Sequence, residues 1–261
     1  MKTIFRNILA AGLVLPFVAC EKVIDIDLND SDPLLVIESN IHDEGGPYQV
    51  RLTKTVNFDE SNSFPGVSGA VVTIIDSDGA TEVLNEVSPG TYEMTTITGV
   101  PGKSYTLTID VEGESYESTS VMPLLTEIDT VLVEQGLFGP FRYLTVLFPD
   151  DPNVENYYRV LYVRNGEPDD GINVVSDMLA EGGDMEVPLF FFGDDSLTTG
   201  DVVEVILQNI DKTNYEYLRS LNGTINSAVS ATPANPVSPF SPNALGYFSA
   251  HSVHRKTITV Q

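Results

Sequence analysis

The side chains able to do chemistry in this chain are few in kind. Cys20 is the only cysteine, His42, His251 and His254 are the only histidines, and 38 acidic residues stand against 13 basic ones. Nucleophilic hydrolysis needs a Ser or Cys with a base in reach, and no G-x-S-x-G elbow occurs. The nearest text, Gly66-Val67-Ser68-Gly69, lacks that spacing and reads as a turn opening a strand. His251 and His254 are spaced i, i+3 without the Glu of a helical H-E-x-x-H zinc motif. In an extended segment that odd offset sends the two rings to opposite faces, so they read as surface or loop histidines.

Carboxylates raise two further questions. Asp25, Asp27, Asn29, Asp30 and Asp32 suggest calcium, yet an EF-hand loop from Asp25 needs Gly at its sixth position and Glu at its twelfth. The chain has Asp30 and Val36 there. The pairs Asp150-Asp151, Asp169-Asp170 and Asp194-Asp195 offer loop oxygens for calcium, or acids for glycoside hydrolysis. With 38 acids, such pairs arise from composition alone. Trp, the commonest sugar-stacking residue, is absent, and so is a phosphate-cradling G-x-x-x-x-G-K-[ST] loop. The expectation is no catalytic set, no metal set and no cofactor, calcium being the one ion kept open.

The net charge of −25 disfavours nucleic acid, whose binding depends on clustered Lys and Arg. It fits a solvated acidic exterior.

Cys20 has a more specific reading. Lys2 and Arg6, the apolar run Ile8 to Val18 and small Ala19 precede it, which is the order of a bacterial lipoprotein leader. The apolar run falls short of the ~20 residues a membrane span needs. Residues 1–20 are therefore expected to be removed as a signal peptide and Cys20 lipidated, tethering the chain to a membrane without crossing it; an ordinary secretory signal, with Cys20 incidental, is the alternative. No other cysteine is available for a disulfide, so stability must come from packing.

The elements that would carry any site are strands. After an acidic tether (21–32), runs rich in Val, Ile, Thr and Tyr recur at 34–41, 48–56, 70–76, 81–85, 90–96, 104–112 and 114–121, broken by Asp-Gly, Pro-Gly and single Gly turns. Seven short strands in about ninety residues is a β-sandwich profile. The text SGAVVTIIDSDG, GTYEM and GKSYTLTIDVEG is similar to Ig-like and prealbumin-like modules. Past residue 124, strands are expected over 126–135, 141–150, 156–167, 185–196, 201–210 and 256–261. Tyr217, Leu218, Leu221, Ile225 and Val229 fall at helical spacing, predicting a helix near 214–229 capped by Asp211 or Thr213. Pro233, Pro236, Pro239 and Pro242 exclude regular structure from 231–245. The fold class expected is mainly β: an Ig-like or prealbumin-like sandwich (33–123) followed by a β-rich C-terminal domain (124–261) with one helix.

Three segments together carry a family resemblance: EKVIDIDL after Cys20, PLLVIESNI (33–41), and NYEYLRSL with NPVSPFSPNALGYFSAHSV (214–253). They resemble the Bacteroidota lipoproteins grouped as domain of unknown function 4249. The resemblance implies an outer-membrane lipoprotein working beside TonB-dependent transporters, and brings no catalytic residues with it. Within the late block, Gly246 would permit a tight backbone path while Phe240, Tyr247 and Phe248 either pack beneath the Pro loop, the favoured role, or form a partner or ligand surface. The functional expectation is a non-catalytic, lipid-anchored envelope protein that binds or assists a TonB-dependent transporter. An envelope hydrolase using paired carboxylates, and a glycan- or peptide-binding module, are the alternatives.

Overall fold

A computed structural model of the chain describes residues 32–57, 61, 63–136, 141–180, 183–191, 196–225, 236–242 and 244–261. The leader, Cys20, nearly all of the acidic tether and residues 231–235 of the proline-rich loop lie outside the described residues. Among the described residues the protein is mainly β.

Strand alternation organises the first half. In β1 (Leu35–His42) Ile37 and Ile41 are sealed inward, while Glu38, Asn40 and His42 occupy the opposite, half-buried face. The same period runs through β2 (Tyr48–Lys54), β3 (Val71–Asp76), β6 (Thr91–Met94) and β7 (Ser104–Val111). Short β4 (Thr81–Val83) and β5 (Asn85–Ser88) and the long β8 (Glu114–Val121) complete this half; β5 lies between the expected runs 81–85 and 90–96, so the half has eight strands where seven are expected. Strands β4-β3-β7-β8 form one sheet, which encloses a core with β1, β2 and β6; Val72, Ile74, Leu107 and Ile109 meet Ile37, Leu52, Tyr92 and Met94 there.

The second half adds β9 (Thr130–Gln135), β10 (Arg142–Phe148), β11 (Tyr157–Arg164), β12 (Glu167–Pro168), β13 (Val174–Ser176), β14 (Met185–Phe190) and β15 (Val202–Ile210). Helix α1 (Lys212–Ile225) follows, and β16 (Leu245–Thr259) closes the chain. Strands β14-β10-β9 make a three-stranded sheet over β11 and β15, enclosing a second core of Leu144, Val146, Phe148, Tyr158, Val160 and Val205.

One strand joins the two cores. β16 pairs in parallel with β1 (Val36 with Leu245 through His42 with His251) and antiparallel with β15 (Asn209 with Ser252 through Val202 with Thr259). A nine-stranded sheet therefore runs across both halves, and Phe248 and Ala250 enter the first core while Val260 enters the second. The expected boundary near 123 separates two cores, but Pro33–Gln261 is one compact unit because the last strand belongs to both. The sequence pattern predicts only 256–261 as strand here. Buried on both faces over much of its length, β16 lacks the alternation that marks a one-sided strand.

Helix α1 starts two residues before the expected range and is described to Ile225. Asp211 caps it, accepting from the Asn214 backbone N–H at 2.8 Å. The second carboxylate oxygen accepts from Ser120 Oγ at 2.6 Å and the Val121 N–H at 3.0 Å, so the cap also ties the helix to β8. Tyr217 and Leu218 of the predicted stripe are buried and Leu221 is partly so, packing with Tyr157, Ile210 and Tyr247 on the sheet's outer face. Ile225 points to solvent, and Val229 lies outside the described residues.

Candidate functional site

The outer face of the three-stranded sheet carries an aromatic groove. Because β10 turns Leu144, Val146 and Phe148 inward, the pleat turns Tyr143 and Thr145 outward. Register then sets Phe190, Tyr143 and Glu134 in one cross-strand row and Pro188, Thr145 and Leu132 in the next. The Tyr143 and Phe190 rings lie 5.2 Å apart and Phe141 stands 6.5 Å from Tyr143. Half of Phe190 is exposed, as is 44% of Leu132. A Cβ at Gly136 would sit 2.3 Å from the Phe141 ring, so a larger residue there would displace that ring.

Carboxylates border the rings. Glu134 accepts a hydrogen bond from the Thr145 hydroxyl and another from Tyr143. Burial, then the adjacent Glu134 charge, pushes the Tyr143 phenol above its usual range. With Glu186 across the groove, the result is a cleft of about 520 Å³ with aromatic walls, two acids and no Lys or Arg in its lining. Such a surface can stack a planar or sugar ring and accept hydrogen bonds from hydroxyl or amide donors.

A second polar cluster lies on the outer face of the nine-stranded sheet. Cross-strand register brings Asn40 and His42 of β1 beside Ser249 and His251 of β16, and Gln208 of β15 beside Arg159 of β11. His251 is 4% exposed. Its two ring nitrogens meet Gln208 Nε2 and Ser249 Oγ, each at 3.1 Å. Burial first, and repulsion of a second positive charge by His42 and Arg159 next, lowers its pKa to about 3, so the ring is neutral. The His42 ring is 5.9 Å away and is also held below its usual value by burial.

The late aromatic block divides. Phe240 and Phe248 are core residues, Phe248 fully enclosed, so neither side chain is presented to a partner. Only Tyr247 reaches the outer face, where its hydroxyl accepts from Asn40 Nδ2 at 3.0 Å. Ser241 exchanges backbone hydrogen bonds with Glu117, pinning the described part of the proline-rich segment to β8. Gly246 has the expected role: its φ is +103° and any Cβ would lie 1.9 Å from the Ile37 carbonyl oxygen.

The histidine pair differs from expectation on one side. His254 faces opposite to His251, as an odd offset requires, and its Nδ1 accepts from the Ile128 N–H at 3.0 Å. His251 is buried in a strand, not exposed in a loop, because β16 is an interior strand of the wide sheet. Among the acid pairs, Asp150 accepts from Tyr158 at 3.1 Å and Asp151 closes a turn onto the Asn153 N–H at 3.0 Å. Asp169 accepts from Tyr162 at 2.8 Å. Cys20, the Asp25–Asp30 acids, Asp194 and Asp195 lie outside the described residues. Among the described residues no group of three His, Cys, Asp or Glu side chains is placed to hold a metal, and no helix is long and apolar enough to cross a membrane. The aromatic groove and Arg159 escape sequence reading, because both exist only through cross-strand register; the signal was the exposed-face aromatics of FRYLTVLF and PLFFF.

These features define a β-sandwich protein with a groove on one sheet and a polar cluster on another. A profile for the Domain of unknown function (DUF4249) matches residues 21–257, and the chain belongs to that family. No curated protein matches it. Among solved structures it is similar to a DUF4785 family protein from Legionella pneumophila, at 13% identity and a TM-score of 0.26, covering 67% of this chain. The chain spans half the length of that protein.

Proposed function

We propose that the protein is a non-catalytic binding component of the cell envelope, anchored to the outer membrane by lipid on Cys20, that works beside a TonB-dependent transporter. The supporting observation is the exposed aromatic groove of Phe141, Tyr143 and Phe190. Contiguous aromatic surface rimmed by polar residues marks contact sites, and aromatic side chains are enriched where partners dock. A lipid tether confines that face to the membrane plane and raises its effective concentration toward a membrane partner. The acidic chain would complement a basic patch on that partner.

The test is affinity purification of the natively anchored protein from solubilised outer membranes. A TonB-dependent transporter should co-purify with the wild type and be depleted about tenfold or more with Phe190→Ala and Tyr143→Ala, the loss expected when interface aromatics are truncated. Recovery of no such transporter sinks the reading. Metabolic labelling with a radioactive fatty acid checks the anchor separately, since Cys20→Ser should abolish the label.

The groove also favours a second reading, a glycan- or peptide-binding module. Aromatic faces beside Glu134 and Glu186 suit sugar stacking with hydroxyls donating to carboxylates. Calorimetric titration with envelope oligosaccharides distinguishes the two: Phe190-dependent heat without a co-purifying transporter would select this one.

A further inference from the structure

The outer face of the nine-stranded sheet holds an arginine, Arg159, that forms no ion pair among the described residues. Arg159 projects from β11 between Val174 of β13 and Gln208 of β15. Its Nε is sealed from solvent with no hydrogen-bond partner. Among the described residues no ion pair reaches its guanidinium, although Arg164 and Arg255 each meet an acid. Burial pulls the Arg159 pKa down, and the Tyr247 phenol is the neighbour that opposes this.

Arg159 is half-buried, and a sealed donor without a partner is costly, so replacing the side chain by an apolar one of similar size is expected to be neutral or stabilising. Its presence therefore asks for a use. The groups around it are polar and already oriented. Gln208 and Ser249 hold the neutral His251 ring between them, and Asn40 donates to the Tyr247 hydroxyl, which keeps its own proton for another acceptor. The buried His42 Nδ1 has no partner either. Tyr217 of α1 lies 5.6 Å from the Tyr247 ring, and Tyr157 and Tyr215, 4.8 Å apart, belong to the same apolar cluster.

We propose that Arg159, with the Tyr247 hydroxyl and the Gln208–His251 pair beside it, is a binding site for a carboxylate carried on an apolar or aromatic body. The guanidinium fork matches a carboxylate bidentately. One cation balances one negative charge; a phosphate dianion would leave a surplus facing Glu44, which acts on both histidines, and Glu38, which acts on Tyr217. The tyrosines of α1 and β11 supply the apolar wall. This site lies on a different sheet from the aromatic groove and does not depend on the transporter reading.

The test uses the full chain and two-dimensional NMR of the Arg159 Nε–Hε signal, assigned by its disappearance in Arg159→Gln. Phenylacetate should shift that signal saturably and inorganic phosphate should not. Arg159→Gln should weaken phenylacetate binding about ten- to a hundredfold, the loss expected for hydrogen bonds to a charged group. N-acetyl-Gly-Phe and its C-terminal amide identify the source of the carboxylate: tighter binding of the free acid peptide than of phenylacetate assigns the site to a chain terminus, and the reverse assigns it to a small molecule. Arg159→Met separates binding from architecture, since it should abolish binding with a melting temperature at or above that of the wild type. The proposal is overturned by the absence of a saturable shift with either carboxylate, by phosphate binding more tightly than phenylacetate, or by an Arg159→Met protein that melts well below the wild type.

Discussion

Gly246→Ala is the sharpest test of how the two cores are joined. The residue has φ +103° within β16, and an added Cβ would fall 1.9 Å from the Ile37 carbonyl oxygen and 2.7 Å from its carbon. Ordinary contact begins near 3.4 Å, so the β1–β16 ladder must open locally by about 1.5 Å, enough to break the hydrogen bonds it spans. Left-handed backbone costs an L-residue about 1–2 kcal/mol, and each buried backbone group left unpaired costs about 1–3 kcal/mol. The expected loss is thus roughly 4 kcal/mol, in the range reserved for severe substitutions. Gly79→Ala is the matched control, because Gly79 has φ +89° with nothing within 4 Å of its Cβ; it should lose only the backbone part, about 1–2 kcal/mol. Urea denaturation of both variants reads the difference as a shift in midpoint at constant slope. Equal losses at the two positions would refute the close approach of β16 to β1.

Three other outcomes are expected. Phe248→Ala, at a fully enclosed site, should cost about 3–5 kcal/mol and lower the thermal midpoint without splitting the transition, because β16 serves both cores; two separated calorimetric peaks in the wild type would contradict this. His251, whose folded pKa is near 3 against 6.5 for the free side chain, binds its proton only when unfolded, so its contribution is complete above pH 6.5 and is lost as pH falls toward 3; His251→Gln should flatten the urea midpoint between pH 6.5 and 5, and an unchanged slope would rule the ring out as its source. Asp201 accepts from the Thr198 N–H and from Asn165 and pairs with Arg164, which holds its pKa at about 2. Its depressed value adds stability above pH 4 that disappears as acidification approaches 2, and Asp201→Asn should remove that acid-dependent step from the same titration.

Much of the fold was legible because its signals are local. Val, Ile, Thr and Tyr runs with period two, cut by Asp-Gly and lone glycines, mark seven of the first eight strands to within a few residues, the fully exposed β5 being the one missed, and the stripe from Tyr217 with Asp211 before it marks α1 and its cap. β16 was largely hidden, since its middle, between β1 and β15, is buried on both faces yet carries Ser249, His251 and Ser252 among its apolar residues, so it shows neither a continuous apolar run nor an alternation. That one miss had a consequence: His251 read as a surface or loop residue although it is sealed in the sheet, in the strand that carries Phe248 and Ala250 into the first core.

The amino-acid order alone determined the β class, the turn positions, the helix, the need of Gly246 for a tight path and the family to which the chain belongs, because each rests on neighbours within a few residues or on a contiguous motif. Tertiary structure alone decided which side chains meet. Phe190 joins Tyr143, and Arg159 joins Gln208, through cross-strand register between segments tens of residues apart. A one-residue slip in either ladder would turn those side chains to the other face, and no local pattern encodes that choice.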